Sequence, residues 1–119
     1  MKDFRTLKVW EKAHAIVLEV HKVTAKFPTD ERFGLISQMR RSSASIPTNI
    51  AEGCGSGTDA DFARFVQISM RSACELEYQF ILSRDLGYWS EPDSSKLEAR
   101  LIEVKRMLTA LLQKLRSDS

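Results

Sequence analysis

From Leu97 to Leu115 apolar side chains return at spacings of four and three residues, through Leu101, Val104, Leu108 and Leu111, with Ile102 and Leu112 flanking the row. That rhythm is the heptad seam of a helix packed lengthwise against other helices, and it constrains everything that precedes it. A helix of this kind leaves one apolar stripe to be covered, so the rest of the chain must supply stripes of similar length.

Three earlier segments do. Over about residues 7–27, Trp10, Ala13, Val17, Val20, Thr24 and Phe27 share one side of a helix while Lys8, Lys12, Glu19, Lys22 and Lys26 take the other, and Pro28 stops it. A second helix is expected over about 30–54, with Thr29 as cap and Asp30 and Glu31 at its positive end. Its Leu35, Ile36, Met39, Ile46 and Ile50 alternate with serines and Thr48, small enough for a neighbour to approach closely. Pro47 lies inside it, lacks a donor for the Ser43 carbonyl, and predicts a kinked single helix; the alternative is a break, with Asn49 capping a restarted helix and Glu52 in the reciprocal position. Thr58, Asp59 and Asp61 open a third helix over about 58–86, carrying Phe62, Phe65, Val66, Ser69, Ala73, Leu76 and Phe80 and ending before Gly87. Ser90 caps the fourth, over about 91–116, with Pro92 in its first turn. Short connections make successive helices antiparallel neighbours, so the expectation is an all-α, antiparallel up-down-up-down four-helix bundle, helix two kinked near Pro47, in one domain over 1–119.

The 43% hydrophobic content of the 119 residues is enough for one core without metals or disulfides. A net charge of +2 gives only a weak global field, so any electrostatic footprint must be local. The opening MKDFRTLKVWEK is charged where a signal peptide needs an apolar stretch, and no window approaches a membrane span; a cytoplasmic protein is expected. Cys54 and Cys74 form no CxxC pair and read as reduced, buried or partly buried structural thiols.

Catalytic constellations are thin. Glu11 and His14 have the Glu-x-x-His spacing of a di-iron bundle, but His21 has Leu18 where the second glutamate should be, so no metal is expected. The two histidines lack an orienting acid for nucleophilic catalysis. The glycines of EGCGSGTD follow no strand and precede Asp59 and Asp61, which repel a phosphate; an inter-helix loop is the better reading, with no cofactor and no enzymatic activity. Two other patterns are more informative. On helix two Gln38, Arg41, Ser45, Asn49 and Glu52 share one face, and on helix three Arg64, Arg71, Glu75 and Tyr78 do likewise, with Arg71 and Glu75 spaced for an intrahelical pair. Gln38, Arg41, Ser45, Asn49, Glu52 and Glu75 are therefore candidates for a hydrogen-bonded network or subunit interface. Arg40, Arg41, Arg64 and Arg71 are candidates for phosphate or partner contact, with pairing to Glu52, Glu75 and Glu77 as the alternative.

The run PTDERFGLISQMRRSSASIPTNIAEGCG, followed by FARFVQIS and ELE, resembles the four-helix-bundle proteins named after the protein encoded in intervening sequences of bacterial 23S ribosomal RNA genes. The likeness extends from FRTLKVWEKA to the last helix and is most specific at Ser45, Pro47, Asn49, Ile50, Ala51, Glu52 and Gly53. The resemblance implies an antiparallel bundle that assembles into a ring, in known relatives a homopentamer with a central channel. Some relatives are accessory proteins of diversity-generating retroelements, whose basic ring associates with nucleic acid and a reverse transcriptase. Here Arg71 stands where relatives commonly carry the glycine of a Gly-Ser pair, which adds charge to that face. A homo-oligomeric, non-enzymatic scaffold binding RNA or DNA is the resulting expectation; a protein-only adaptor is the alternative.

Overall fold

The computed structural model describes residues 2–118; Met1 and Ser119, the ends of the expected domain, lie outside them. Four helices make the fold: α1 (Lys8–Thr24), α2 (Ser37–Cys54), α3 (Asp59–Asp85) and α4 (Glu91–Asp118). Each of α1 and α3 packs against both α2 and α4, so consecutive helices are antiparallel neighbours around a square, in a body 45 × 24 × 20 Å. No strand occurs among the described residues.

Core positions follow the expected periodicities with adjustments in α1, α3 and α4; in α3 Phe65 is half-buried and Ala63 is buried. In α1 the buried row is Val9, Ala13, Ile16, Val20 and Thr24, while Trp10 and Val17 sit half-buried at its edge. In α4 Leu97, Leu101, Val104 and Leu108 continue into Leu112 and Leu115, and Leu111 moves to the flank. A straight helix turns through 3.6 residues rather than 3.5, so a strict heptad drifts and the seam steps forward by one residue, from Leu111 to Leu112, near its end.

The helix boundaries show what the caps do. Thr58 Oγ1 accepts from the Asp61 N–H (3.1 Å) and Ser90 Oγ from the Asp93 N–H (3.3 Å), each closing a first turn as expected. At the far end of α3, Gly87 adopts φ +81°, which lets the Tyr88 N–H reach the Ser83 carbonyl (3.0 Å) and the Gly87 N–H the Arg84 carbonyl (2.9 Å). The entry to α2 differs from expectation. Thr29 does not cap it: Thr29–Glu31 forms a 3-10 turn, Arg32–Ile36 a wide π-type turn, and α2 proper begins at Ser37. Gly34 there has φ −108° and ψ −111°, outside the helical range, and the Glu31 carboxylate accepts from the Leu35 N–H at 3.4 Å. The determinant is non-local, since the Tyr88 hydroxyl donates to Glu31 Oε2 at 2.7 Å and holds that carboxylate in place. Downstream, α2 keeps Pro47 inside one continuous helix, and Asn49 caps nothing. Its amide instead donates to the Ser45 carbonyl (2.9 Å) and Ser45 Oγ (3.0 Å).

Candidate nucleic-acid interface

The α2–α3 seam is stitched by small hydroxyls. Ser69 Oγ donates to the Ile46 carbonyl (2.8 Å) and Ser72 Oγ to Ser45 Oγ (2.8 Å), so Ser45 joins the two helices as well as receiving Asn49. Deeper, Ser42 Oγ donates to Gln79 Oε1 at 2.6 Å, and the Gln79 amide passes outward to Glu75 Oε2 at 3.2 Å. Arg41 Nη2 lies 3.9 Å from the same carboxylate. A polar relay thus runs from a fully enclosed serine to an exposed ion pair. Its burial makes complete satisfaction necessary, and no fully buried side-chain N or O lacks a partner among the described residues. Of the stripe named from sequence, Ser45 and Asn49 are half-buried in this seam, Arg41 and Glu75 form its outer rim, and Gln38 and Glu52 stand exposed at either end. Glu75 meets Arg41 across the seam rather than Arg71 along α3. Ser42 and Gln79 were not among the sequence candidates. The available signal was a glutamine, Gln79, flanked by Leu76 and Phe80 in an apolar stripe.

The four arginines separate into different roles. Arg40 is half-buried; its Nε donates to Thr24 Oγ1 (3.0 Å) and its Nη2 to the His21 carbonyl (3.4 Å), placing a cation on the negative end of α1. Arg41 belongs to the relay rim. Arg64 and Arg71, both exposed on α3, line a groove of about 350 Å³ between α3 and α4 together with Gln67 and Arg116. Arg116 Nη2 donates to Gln67 Oε1 at 3.2 Å, bringing a third guanidinium to the groove from α4. The Arg64 guanidinium lies over the Phe65 ring, 4.7 Å from its centroid, and 3.9 Å from Asp61, which stands outside the groove lining. Among the described residues no carboxylate lines the groove itself. Planar guanidinium forks around such a depression suit phosphate oxygens, which accept bidentate contacts. Arg116 was missed because its pairing with Gln67 is tertiary.

The remaining chemistry-bearing groups are dispersed. Glu11 and His14 lie exposed on α1, where His14 stacks on Trp10 (5.1 Å, 7° between planes). Among the described residues no three His, Cys, Asp or Glu side chains converge as a metal site. Cys54 is buried, and burial pushes its thiol pKa up, but Cys74 is exposed, correcting the expectation that both thiols are enclosed. Cys74 follows Ala73 immediately on α3, which carries it off the apolar row. No described helix is long and apolar enough to cross a membrane.

The family described as 23S rRNA-intervening sequence protein matches residues 5–110. Among solved structures, the chain is similar to a protein of unknown function from the S23 ribosomal protein family of Bacteroides thetaiotaomicron, with 22% identity over 87% of this chain and 97% of that one and a TM-score of 0.81. That likeness supports the bundle. Among proteins whose properties are curated, none matches.

Proposed function

Because the chain belongs to the 23S rRNA-intervening sequence protein family, we propose that it works as a cytoplasmic, non-enzymatic scaffold of several identical chains that binds RNA or DNA along the α3–α4 face. The observation that carries the reading is the convergence of Arg64 and Arg71, with Arg116 beside them, on one groove whose described lining holds no carboxylate. A net charge of +2 makes a single chain a weak polyelectrolyte binder, and repetition of the groove around an assembly is what raises its avidity. Five copies is the number implied by the resemblance. A protein-only adaptor is the second reading, favoured by Tyr78 and Leu86, large side chains at least half exposed on the same helix α3 and its end.

Light scattering of the intact chain, combined with binding to a structured RNA and a single-stranded DNA from about 50 to 200 mM salt, separates these readings. The scaffold should be oligomeric. Two phosphate contacts per groove, from Arg64 and Arg71, should weaken binding about 7- to 12-fold across that range. Arg64→Ala and Arg71→Ala should each remove about one contact from the salt slope while assembly survives. Arg40→Ala should leave binding intact and cost about 1 kcal/mol of stability, since it loses hydrogen bonds to α1. An oligomer that binds neither probe at low salt selects the adaptor; a monomer that binds neither sinks both.

A further inference from the structure

At the opposite end of the bundle from the arginine groove, the last turns of α1 and the first turns of α4 enclose a cleft of about 450 Å³. Its floor is aromatic and fixed. The Trp89 indole donates to Ser83 Oγ at 2.9 Å and sits edge-on to Phe80 (5.4 Å between centroids), with Phe27 at 6.2 Å. Tyr88, beside it, is anchored through Glu31. These rings cannot collapse to fill the cleft, because the core holds them from behind.

The rim is cationic. Lys22 and Lys26 reach it from α1, and Lys96 and Arg100 from α4, against Glu19 and Asp93. Lys22 pairs with Glu19 at 3.5 Å, whereas among the described residues Lys26, Lys96 and Arg100 have no carboxylate within 4.0 Å. The negative end of α1 offsets part of this charge, and Lys22 and Lys26 answer it. Lys96 and Arg100 remain as surplus on α4, whose own positive end faces the cleft at Ser90.

We propose that this cleft binds a nucleoside 5′-phosphate, with the base against Trp89 and the phosphate on Lys96 and Arg100. The volume lies in the range of small-ligand sites. A planar ring gains stacking on a rigid indole, and a phosphate gains charge-assisted bonds from Arg100 that a neutral ligand lacks. Neither inorganic phosphate nor a bare nucleoside uses both halves. The site is independent of the arginine groove, and its occupancy does not require assembly.

The test uses the full chain with Trp10→Phe, which leaves Trp89 as the sole tryptophan. Adenosine 5′-monophosphate should change Trp89 fluorescence saturably, while adenosine and inorganic phosphate bind at least about tenfold more weakly. Adding Lys96→Ala and Arg100→Ala should weaken the nucleotide at least about tenfold with helicity and melting unchanged. No saturable change up to about 5 mM nucleotide, or equal affinity in the double variant, overturns the proposal. Two short oligodeoxyadenylates, with a 5′-phosphate or a 5′-hydroxyl, distinguish the source. A phosphate-dependent response points to strand ends, failure of both alongside nucleotide binding points to the free nucleotide, and equal binding of both refutes phosphate recognition.

Discussion

Lys105 and Glu77 show how a single ion pair gives the bundle a pH-dependent component of stability. Lys105 Nζ lies 2.6 Å from Glu77 Oε1, tying α4 to α3, and both side chains are only about a quarter exposed (27% and 26%). The hydrogen bond to Glu77 raises the lysine pKa above its ordinary 10.5, outweighing desolvation, which acts the other way. The sign follows from linkage: a cation whose pKa is higher in the folded than in the unfolded state binds protons preferentially when folded. The stabilisation is fully present below the unfolded value and disappears as pH rises through the folded one. Lys105→Met should therefore cost about 0.5–1 kcal/mol in urea unfolding at about pH 8, with the gap to the parent narrowing above about pH 11. A gap that stays constant across that range would assign the effect to packing of the lysine stem instead. Residues of this kind are hard to read from sequence, because Glu77 and Lys105 are separated by 28 positions. The same holds for Gln79, whose place in an apolar row is visible but whose partners Ser42 and Glu75 emerge only when α2 and α3 meet.

At the scale of elements, local signals carried most of the architecture. Thr58, Ser90 and Gly87 end or begin helices by interactions within a few residues, so their roles are legible from spacing alone. The π-type turn at Gly34 was not, because the Tyr88–Glu31 hydrogen bond that organises it spans 57 positions. Gly53 is the corresponding case at the other end of α2. It looks like one glycine among several in a loop, yet it is buried inside the last turn, where an added Cβ would fall 2.7 Å from Phe62 Cδ1 and 3.1 Å from Phe65 Cβ. Two effects oppose each other on substitution. Alanine gains about 0.5–1 kcal/mol of helix propensity, but crowding two aromatic residues of α3 costs about 1–3 kcal/mol. Overpacking wins, so Gly53→Ala should lower the melting temperature by several degrees. Gly55→Ala is the control: its Cβ would meet only the Glu52 carbonyl, at 3.5 Å, and it should melt at or slightly above the parent. Equal melting of both variants would contradict the packing argument.

For the whole molecule, the outcome depends on how the four faces are used. One contiguous core draws on every helix, which predicts a single cooperative unfolding transition for the chain. Of the candidate interface, Arg64 and Arg71 could be named from their spacing along α3, whereas Arg116 and the displacement of Arg40 onto α1 required the bundle to be assembled. Assembly beyond the chain has a thermodynamic signature that needs no ligand. If unfolding a chain also releases it from an oligomer, mass action makes stability depend on protein concentration. For five identical chains a tenfold rise stabilises each by four-fifths of the tenfold free energy, about 1.1 kcal/mol. In a chain of this length that shifts the melting temperature by about 3–6 °C per decade of concentration. Scans at three concentrations should show this drift at about 50 mM and 200 mM salt alike, since apolar contact rather than surface charge would hold the chains together. A drift that vanishes at the higher salt would assign assembly to ion pairs such as those of the Arg41–Glu75 rim, and a melting temperature independent of concentration would leave each groove to act alone, at single-site affinity.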